Sequence, residues 1–318
     1  MGSGGTGGYF GALLARAGED VTFIARGNHL AALQTQGLTV DSRLSGDFTL
    51  PARATDKPDK VGPVDLVLFC VKAYDTNAAA ELVRPLIGPD TVVLPLQNGI
   101  DAAERLARVL GSERVIGGVA LVTSSVTAPG TVTQTGGAGK IILGELMGGS
   151  STRTGGLQRT FERAGIPTQV HPDIQIAIWE KFVFICAFGG MTALTRLPIG
   201  PILASEASRE LFVGIMHEVA EVARARGVAL PKGSVERALT LAASFEPWAR
   251  GSLYHDLESG RRMELEALNG AVVRLARESG RGAAFNFAVY AALQPYAEGR
   301  PAERSRSVER SSSDRTSA

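Results

Sequence analysis

In the first half of the chain, short runs that are apolar at nearly every position alternate with stretches that are apolar on one helical face only. The runs are VTFIAR (21–26), VDLVLFCV (64–71), TVVLPL (91–96) and VIGGVALV (115–122). Apolar residues on both sides of a strand call for burial on both faces, as in a parallel sheet covered by helices. Between the runs, GYFGALLARAG (8–18), TNAAAELVRPLI (76–87) and DAAERLARVL (101–110) have the helical pattern. Gly18 ends the first helix and Asp101 is placed to cap the last. Strands alternating with helices predict a doubly wound α/β sheet. The segment 127–145, TAPGTVTQTGGAGKIILGE, breaks the rhythm. Its turn residues lie between two β-prone runs, which predicts a hairpin at the sheet edge.

Beyond Pro172-Asp173 the strand signals stop and long helical patterns begin. Helices are predicted at about 174–189, 204–226, 232–245, 259–279 and 285–295. The chain therefore divides into an α/β domain over 1–172 and an all-helical domain over 173–296. The remainder, 297–318, has almost no apolar residues and is expected to be disordered.

A length of 318 residues suits two domains. The formal net charge of +1 gives no global electrostatic case for nucleic acid or an anionic membrane as partner. Cys70 and Cys186 stand alone in apolar runs, which reads as two small hydrophobes in a reducing cytoplasm. No basic segment followed by an apolar one opens the chain, so no signal peptide is expected. The run FVFICAFGGMTAL is too short to span a bilayer. No two histidines have metal-ligand spacing, so no metal is expected.

Gly2, Gly4 and Gly7 have the spacing G-x-G-x-x-G, with a helix directly after them and the strand VTFIAR after that. In a dinucleotide loop the first glycine permits the turn, the second lets backbone approach pyrophosphate, and the third lets helix pack on strand. The helix N-terminus then offers free N–H groups and a positive dipole. The strand that should precede this loop has no counterpart after Met1. The expectation is that the native reading frame starts upstream, or that the first residues are missing. A chain that truly began at Met1 would have a gap between two buried strands and weak cofactor binding. Arg26 ends the second strand, where an NAD-preferring fold usually has Asp or Glu. Arg26 can pair with a 2′-phosphate, with no acidic residue close by to oppose it, which favours NADP(H). A solvated arginine at a strand end is the alternative.

Ligands of open α/β sheets bind beyond the carboxyl ends of the strands. Lys72 follows one such end, and Gln97, Asn98 and Gly99 follow another. Asn98 can donate and accept, which suits a carboxamide or a hydroxyl. Asp75, Thr76 and Asp101 read as helix caps. In DIQIAIWEKFVFICAFGGMTALTR, Lys181 lies inside a helix that is apolar on most faces. Burial lowers a lysine's pKa and makes it a proton donor near neutral pH, unless the side chain snorkels along Trp179. Glu264 begins a stripe continued by Leu268, Val272 and Leu275, so its carboxylate wants a partner. Lys181 across the cleft is a candidate, and a helix dipole is the alternative. Ser252, just upstream, can reach the same cleft.

Taken in order, GSGGTGGYFG, ARG, CVKAYDT, LQNG, PGTV, WEKFVF, TAL and SLYHDLESGRRMELEALNG resemble the ketopantoate reductase family, from Gly2 to about residue 295. The resemblance implies a Rossmann domain, a helical domain that also dimerises, and NADPH-dependent reduction of a branched 2-oxo acid in pantothenate synthesis. It implies that Lys181 is the general acid, with Asn98 and Lys72 near nicotinamide and substrate. Glu264 and Ser252 would hold the substrate's hydroxyl and carboxylate side; Gly2, Gly4, Gly7 and Arg26 would bind NADPH. The family often has Asn four and eight residues after the lysine, where this chain has Ile185 and Gly189. A more apolar site implies a bulkier or less polar 2-oxo acid. Other readings on the same scaffold are a different ketone or imine reductase and a non-catalytic NADP(H)-binding protein.

Overall fold

The computed structural model describes residues 1–300. The α/β half contains nine strands: β1 (Thr22–Ile24), β2 (Leu38–Ser42), β3 (Phe48–Leu50), β4 (Arg53–Thr55), β5 (Val64–Phe69), β6 (Ile87–Pro95), β7 (Gly117–Ala128), β8 (Thr131–Gly144) and β9 (Thr168–Val170). Its helices are α1 (Gly5–Arg16), α2 (Gly27–Gln36), α3 (Thr76–Leu82), α4 (Ala102–Leu110) and α5 (Thr152–Arg163). The helical half contains α6 (Ile174–Thr195), α7 (Ile199–Ala204), α8 (Glu206–Ala225), α9 (Ser234–Ser244), α10 (Ser252–Glu258), α11 (Asn269–Glu278) and α12 (Ala284–Leu293).

Strands β1 and β4 pair in parallel, as do β5 and β6. A parallel bridge from Val93 to Val115 leads from β6 toward β7. Residues 1–3 lie between β1 and β5. The Ile24 carbonyl accepts from the Gly2 and Ser3 N–H groups, each at 3.2 Å, and the Met1 carbonyl accepts from Cys70 N–H at 2.8 Å. The glycine loop is thus tied to strands on both sides. Phe10, Leu13, Phe23 and Leu94 are among the buried side chains that fill the space between α1 and the strands.

The predicted hairpin exists, turned at Pro129 and Gly130, and its strand β7 ends the order β3-β2-β8-β7, at the sheet edge as expected. β8 has β7 on one side and both β2 and β9 on the other. Its 14 residues are enough to pair with β2 near one end and β9 near the other. Helix α3 stops at Leu82 because Pro85 has no N–H to continue the ladder, and a tight turn over Arg84–Leu86 follows.

Helix α6 runs through the centre of the helical half and packs on α8, α9, α10 and α12. Asp173 caps it, accepting from Gln175 N–H at 3.1 Å. At 22 residues it is long and apolar enough to cross a membrane, yet 72% of that apolar window is buried inside the protein. Cys186 is buried within it; Cys70 is half-buried, and both are free thiols. The predicted helix over 259–279 begins only at Asn269. Residues 261–264 instead have no regular secondary structure: Met263 N–H donates to the Ala297 carbonyl at 2.8 Å, and Glu264, at φ −82° and ψ 30°, leads into a short turn. Ala297 is buried against the helices, which removes 297–300 from the expected tail; residues 301–318 lie outside the described residues.

Candidate active site

The opening glycines divide their tasks by position. Gly2 has φ +84°, and a Cβ there would lie 2.7 Å from the Val71 nitrogen, so only glycine makes this turn over the end of β5. A Cβ on Gly7 would lie 2.3 Å from the Gly2 carbonyl oxygen and 3.0 Å from Cys70 Cβ, which is how α1 presses onto the strand end. A Cβ on Gly4 would meet nothing within 4 Å. Gly4 therefore faces open space, and α1 starts there without a side-chain cap, leaving its first N–H groups for a ligand. Gly5, outside the predicted triple, is as constrained: a Cβ would lie 2.1 Å from the Ser124 carbonyl oxygen. The loop fits a pyrophosphate.

That loop forms one side of a cleft of about 920 Å³ between the two halves. Gly2, Gly4, Arg26, Lys72, Asn98, Lys181, Ser252 and Glu264 all line it; Gly7 lies behind the loop as packing. The size is that of a small-molecule site.

Arg26 is exposed at the rim, with Asp75 Oδ2 3.3 Å from its guanidinium. The expectation that no acid opposes Arg26 holds along the sequence but not in space, because the ends of β1 and β5 bring residues 26 and 75 together. Asp75 and Asp101 occupy N-cap positions, yet neither side chain caps its helix. Thr76 donates to the Ala73 carbonyl at 2.8 Å and accepts from Gln97 Nε2 at 2.9 Å. Gln97 Oε1 is buried with no partner among the described residues.

Lys181 points from α6 toward the end of β6. Its Nζ donates to Asn98 Oδ1 and to the Ala120 carbonyl, each at 2.9 Å. An ammonium has three protons, so one remains for the cleft. Burial pushes this lysine down to about 8, against the pull of the Glu264 carboxylate, which raises it. No carboxylate pairs with it directly among the described residues.

Glu264 is buried, but its partner is not Lys181. Oε1 accepts from Ala73 N–H at 2.8 Å and Oε2 lies 3.3 Å from Lys72 Nζ. Asp256, which sequence reasoning missed, takes Lys72 at 2.8 Å and Arg261 at 3.1 Å. Glu264 comes from irregular chain before α11 rather than from a helix face, and its carboxylate lies over the turn after β5. Burial lowers the Lys72 pKa, but the charges and hydrogen bonds of Glu264 and Asp256 outweigh it and leave it raised.

Ser252 begins α10, next to Gly251, whose N–H donates to Thr192 Oγ1 at 3.1 Å. A Cβ on Gly251 would lie 2.8 Å from Gly189 Cα. Gly189 thus lets the start of α10 lie directly on α6. Phe184, Phe188 and Phe245, which also line the cleft, stack with centroids 5.1–5.4 Å apart. The i+3 and i+7 spacing of Phe184 and Phe188 from Lys181 could have suggested this wall. Nothing local points to Phe245 or to Arg250, which also lines the cleft.

A dinucleotide cradle facing an ammonium with a free proton is what hydride transfer to a carbonyl requires, and the class is that of two-domain nicotinamide-dependent oxidoreductases. The family profile "Ketopantoate reductase PanE/ApbA" matches residues 1–148, and "Ketopantoate reductase PanE/ApbA C terminal" matches residues 173–297. The 2-dehydropantoate 2-reductase of Mesorhizobium japonicum is 33% identical, over 87% of this chain and 90% of that one. An uncharacterized oxidoreductase of Bacillus subtilis, YkpB, is 30% identical over 93% and 97%. The crystal structure of 2-dehydropantoate 2-reductase from Geobacter metallireducens superposes with a TM-score of 0.86 at 36% identity, covering 92% of this chain and 97% of that one. The chain belongs to the ketopantoate reductase family, oxidoreductases that act on a CH–OH group.

Proposed function

We propose that the protein reduces a 2-oxo acid to the 2-hydroxy acid with NADPH, ketopantoate being the family's substrate, and that Lys181 is the general acid. The observation that carries this reading is Lys181 itself: a lysine with lowered pKa, held by two neutral acceptors and not by a carboxylate, in the cleft beside the glycine loop.

Gly2, Gly4 and the first N–H groups of α1 would hold the pyrophosphate, and Arg26 the 2′-phosphate. When bound, the reduced nicotinamide supplies a hydride to the carbonyl carbon. Lys181 gives a proton to the carbonyl oxygen as charge develops there, and its remaining positive character before transfer favours that charge. Asn98 fixes the ammonium's direction and, with Gln97, offers amide groups to the nicotinamide and substrate. Ser252 is free to hydrogen-bond the substrate. Glu264 acts through its charge, keeping Lys181 more protonated than burial alone would allow, and with Lys72 and Asp256 it ties the two halves together. The exposed Arg26–Asp75 pair is worth about 0–1 kcal/mol, little against a phosphate dianion. The family's soluble biosynthetic role supports a cytoplasmic protein, and a homodimer is the proposed assembly. NADPH oxidation measured with a panel of 2-oxo acids, ketopantoate included, tests the reading; inactivity across the panel with NADPH bound would refute it.

A further inference from the structure

We infer that the preferred 2-oxo acid has a bulky, apolar side chain, aromatic rather than hydroxylated, and that Arg250 takes its carboxylate. The inference rests on the proposed reduction at Lys181 and specifies what is reduced there.

The side-chain end of the cleft is defined by Phe184, Phe188 and Phe245. Their rings are nearly parallel, with interplanar angles of 16°, 4° and 19°. At centroid separations of 5.1–5.4 Å the rings are offset-stacked on one another, a stepped aromatic cluster against which a further ring can lie offset. Ile185 and Leu241 extend it. The hydroxyls nearest this end are committed: Ser234 Oγ donates to the Pro231 carbonyl at 2.7 Å, and Thr192 Oγ1 to the Phe188 carbonyl at 2.7 Å. A substrate hydroxyl placed against the wall would lose water and gain no partner. An aryl or large alkyl group loses nothing of that kind.

The carboxylate end follows by elimination among the described residues. The cations lining the cleft are Arg26, Lys72, Lys181, Arg237 and Arg250. Arg26 faces Asp75, Lys72 faces Asp256 and Glu264, and Arg237 holds Glu180 at 2.6 Å. Lys181 is assigned to the carbonyl oxygen. Arg250 has no carboxylate within 4 Å; its guanidinium lies 4.8 Å over the Tyr254 ring, and its Nε is buried without a partner. A guanidinium held flat, whose one hydrogen bond among the described residues runs from Nη1 to the Trp248 carbonyl at 3.4 Å, suits capture of a carboxylate through its Nη groups.

Phe245 and Arg250 are also positioned as a unit. They open and close the connection between α9 and α10, which is pinned to α7 by Gly200 N–H on the Pro247 carbonyl (2.9 Å) and Ile199 N–H on the Ala249 carbonyl (3.0 Å). One anchored loop therefore sets the distance between the apolar wall and the carboxylate group.

The test compares kcat/KM by NADPH oxidation for phenylpyruvate, phenylglyoxylate, pyruvate and ketopantoate. The better aryl acid is expected to exceed ketopantoate by about tenfold or more. Phe245→Ala should lower kcat/KM for the aryl acid by about tenfold, mainly through KM, with a smaller effect on pyruvate. Phe245→Leu, a milder change, should fall between, so a misfolded alanine variant does not decide the question. Arg250→Gln should raise KM for every 2-oxo acid by about tenfold or more, with NADPH affinity measured by fluorescence unaltered and partial recovery in Arg250→Lys. Ketopantoate equal to or better than both aryl acids, or an Arg250→Gln KM no different from the parent, overturns the inference and leaves the reductase reading intact. No NADPH oxidation with any of the four overturns both.

Discussion

Lys181 Nζ and Asn98 Oδ1 are 2.9 Å apart and join the central helix of one half to a strand end of the other. The contact aims an ammonium, whose pKa burial lowers to about 8, at the space above the glycine loop.

Lys181 makes both rate and stability depend on pH. A general acid must carry its proton, so the rate of reduction at saturating NADPH should be flat below about pH 8 and fall above it, approaching tenfold per unit. Stability should move the other way. Below about 8 both folded and unfolded chains hold this proton, and the burial cost is fully present. Between about 8 and the ordinary value of 10.5 the unfolded chain binds more protons, so this group's contribution to stability rises with pH. Rate profiles and melting curves of the parent and Lys181→Met across this range check both signs. Lys181→Ala should reduce kcat by about 10²–10⁴ while NADPH affinity changes little.

Glu264 provides an independent check of the same site. Its charge opposes the downward shift of Lys181, so Glu264→Gln should move the alkaline limb of the rate profile to lower pH. Glu264→Ala should also cost about 1–3 kcal/mol of stability, because it leaves the buried Ala73 N–H without its acceptor. Denaturant unfolding and the pH profile separate the two effects. A limb that stayed in place would show that Glu264 does not act on Lys181.

Arg26 and Asp75 should govern cofactor choice in opposite directions. Arg26→Ala is expected to weaken NADPH while sparing NADH; equal loss of both would contradict a 2′-phosphate contact. Asp75→Asn removes the competing carboxylate and should tighten NADPH by up to about fivefold, the scale of an exposed pair. Titrations followed by nicotinamide fluorescence give both results.

Gly251 should tolerate no side chain. A Cβ would lie 2.8 Å from Gly189 Cα, a backbone atom that cannot swing away. Gly251→Ala should therefore cost about 1–3 kcal/mol in thermal or denaturant unfolding. It should also raise KM for substrate, since the displaced segment carries Ser252 and follows Arg250.

What the sequence determined by itself is what depends on near neighbours. The alternation of apolar runs and amphipathic stretches specified an α/β half followed by helices, since each pattern reports the period of its own element. Gly2, Gly4 and Gly7 were legible because turn, approach and packing are set within one loop and helix. Lys181 stood out because charge is rare inside an apolar helix. The tertiary structure alone decided the pairings. Lys72 and Glu264 are 192 residues apart, and Asn98 and Lys181 are 83 apart. Glu264 reached Lys72 from irregular chain tied down by the Met263–Ala297 backbone bond, where tertiary contacts overrode a helical pattern that local residues favoured. Asp75 met Arg26, and Phe245 joined Phe184 and Phe188, for the same reason. Such contacts are set by where whole elements pack, and no local period in the chain encodes that.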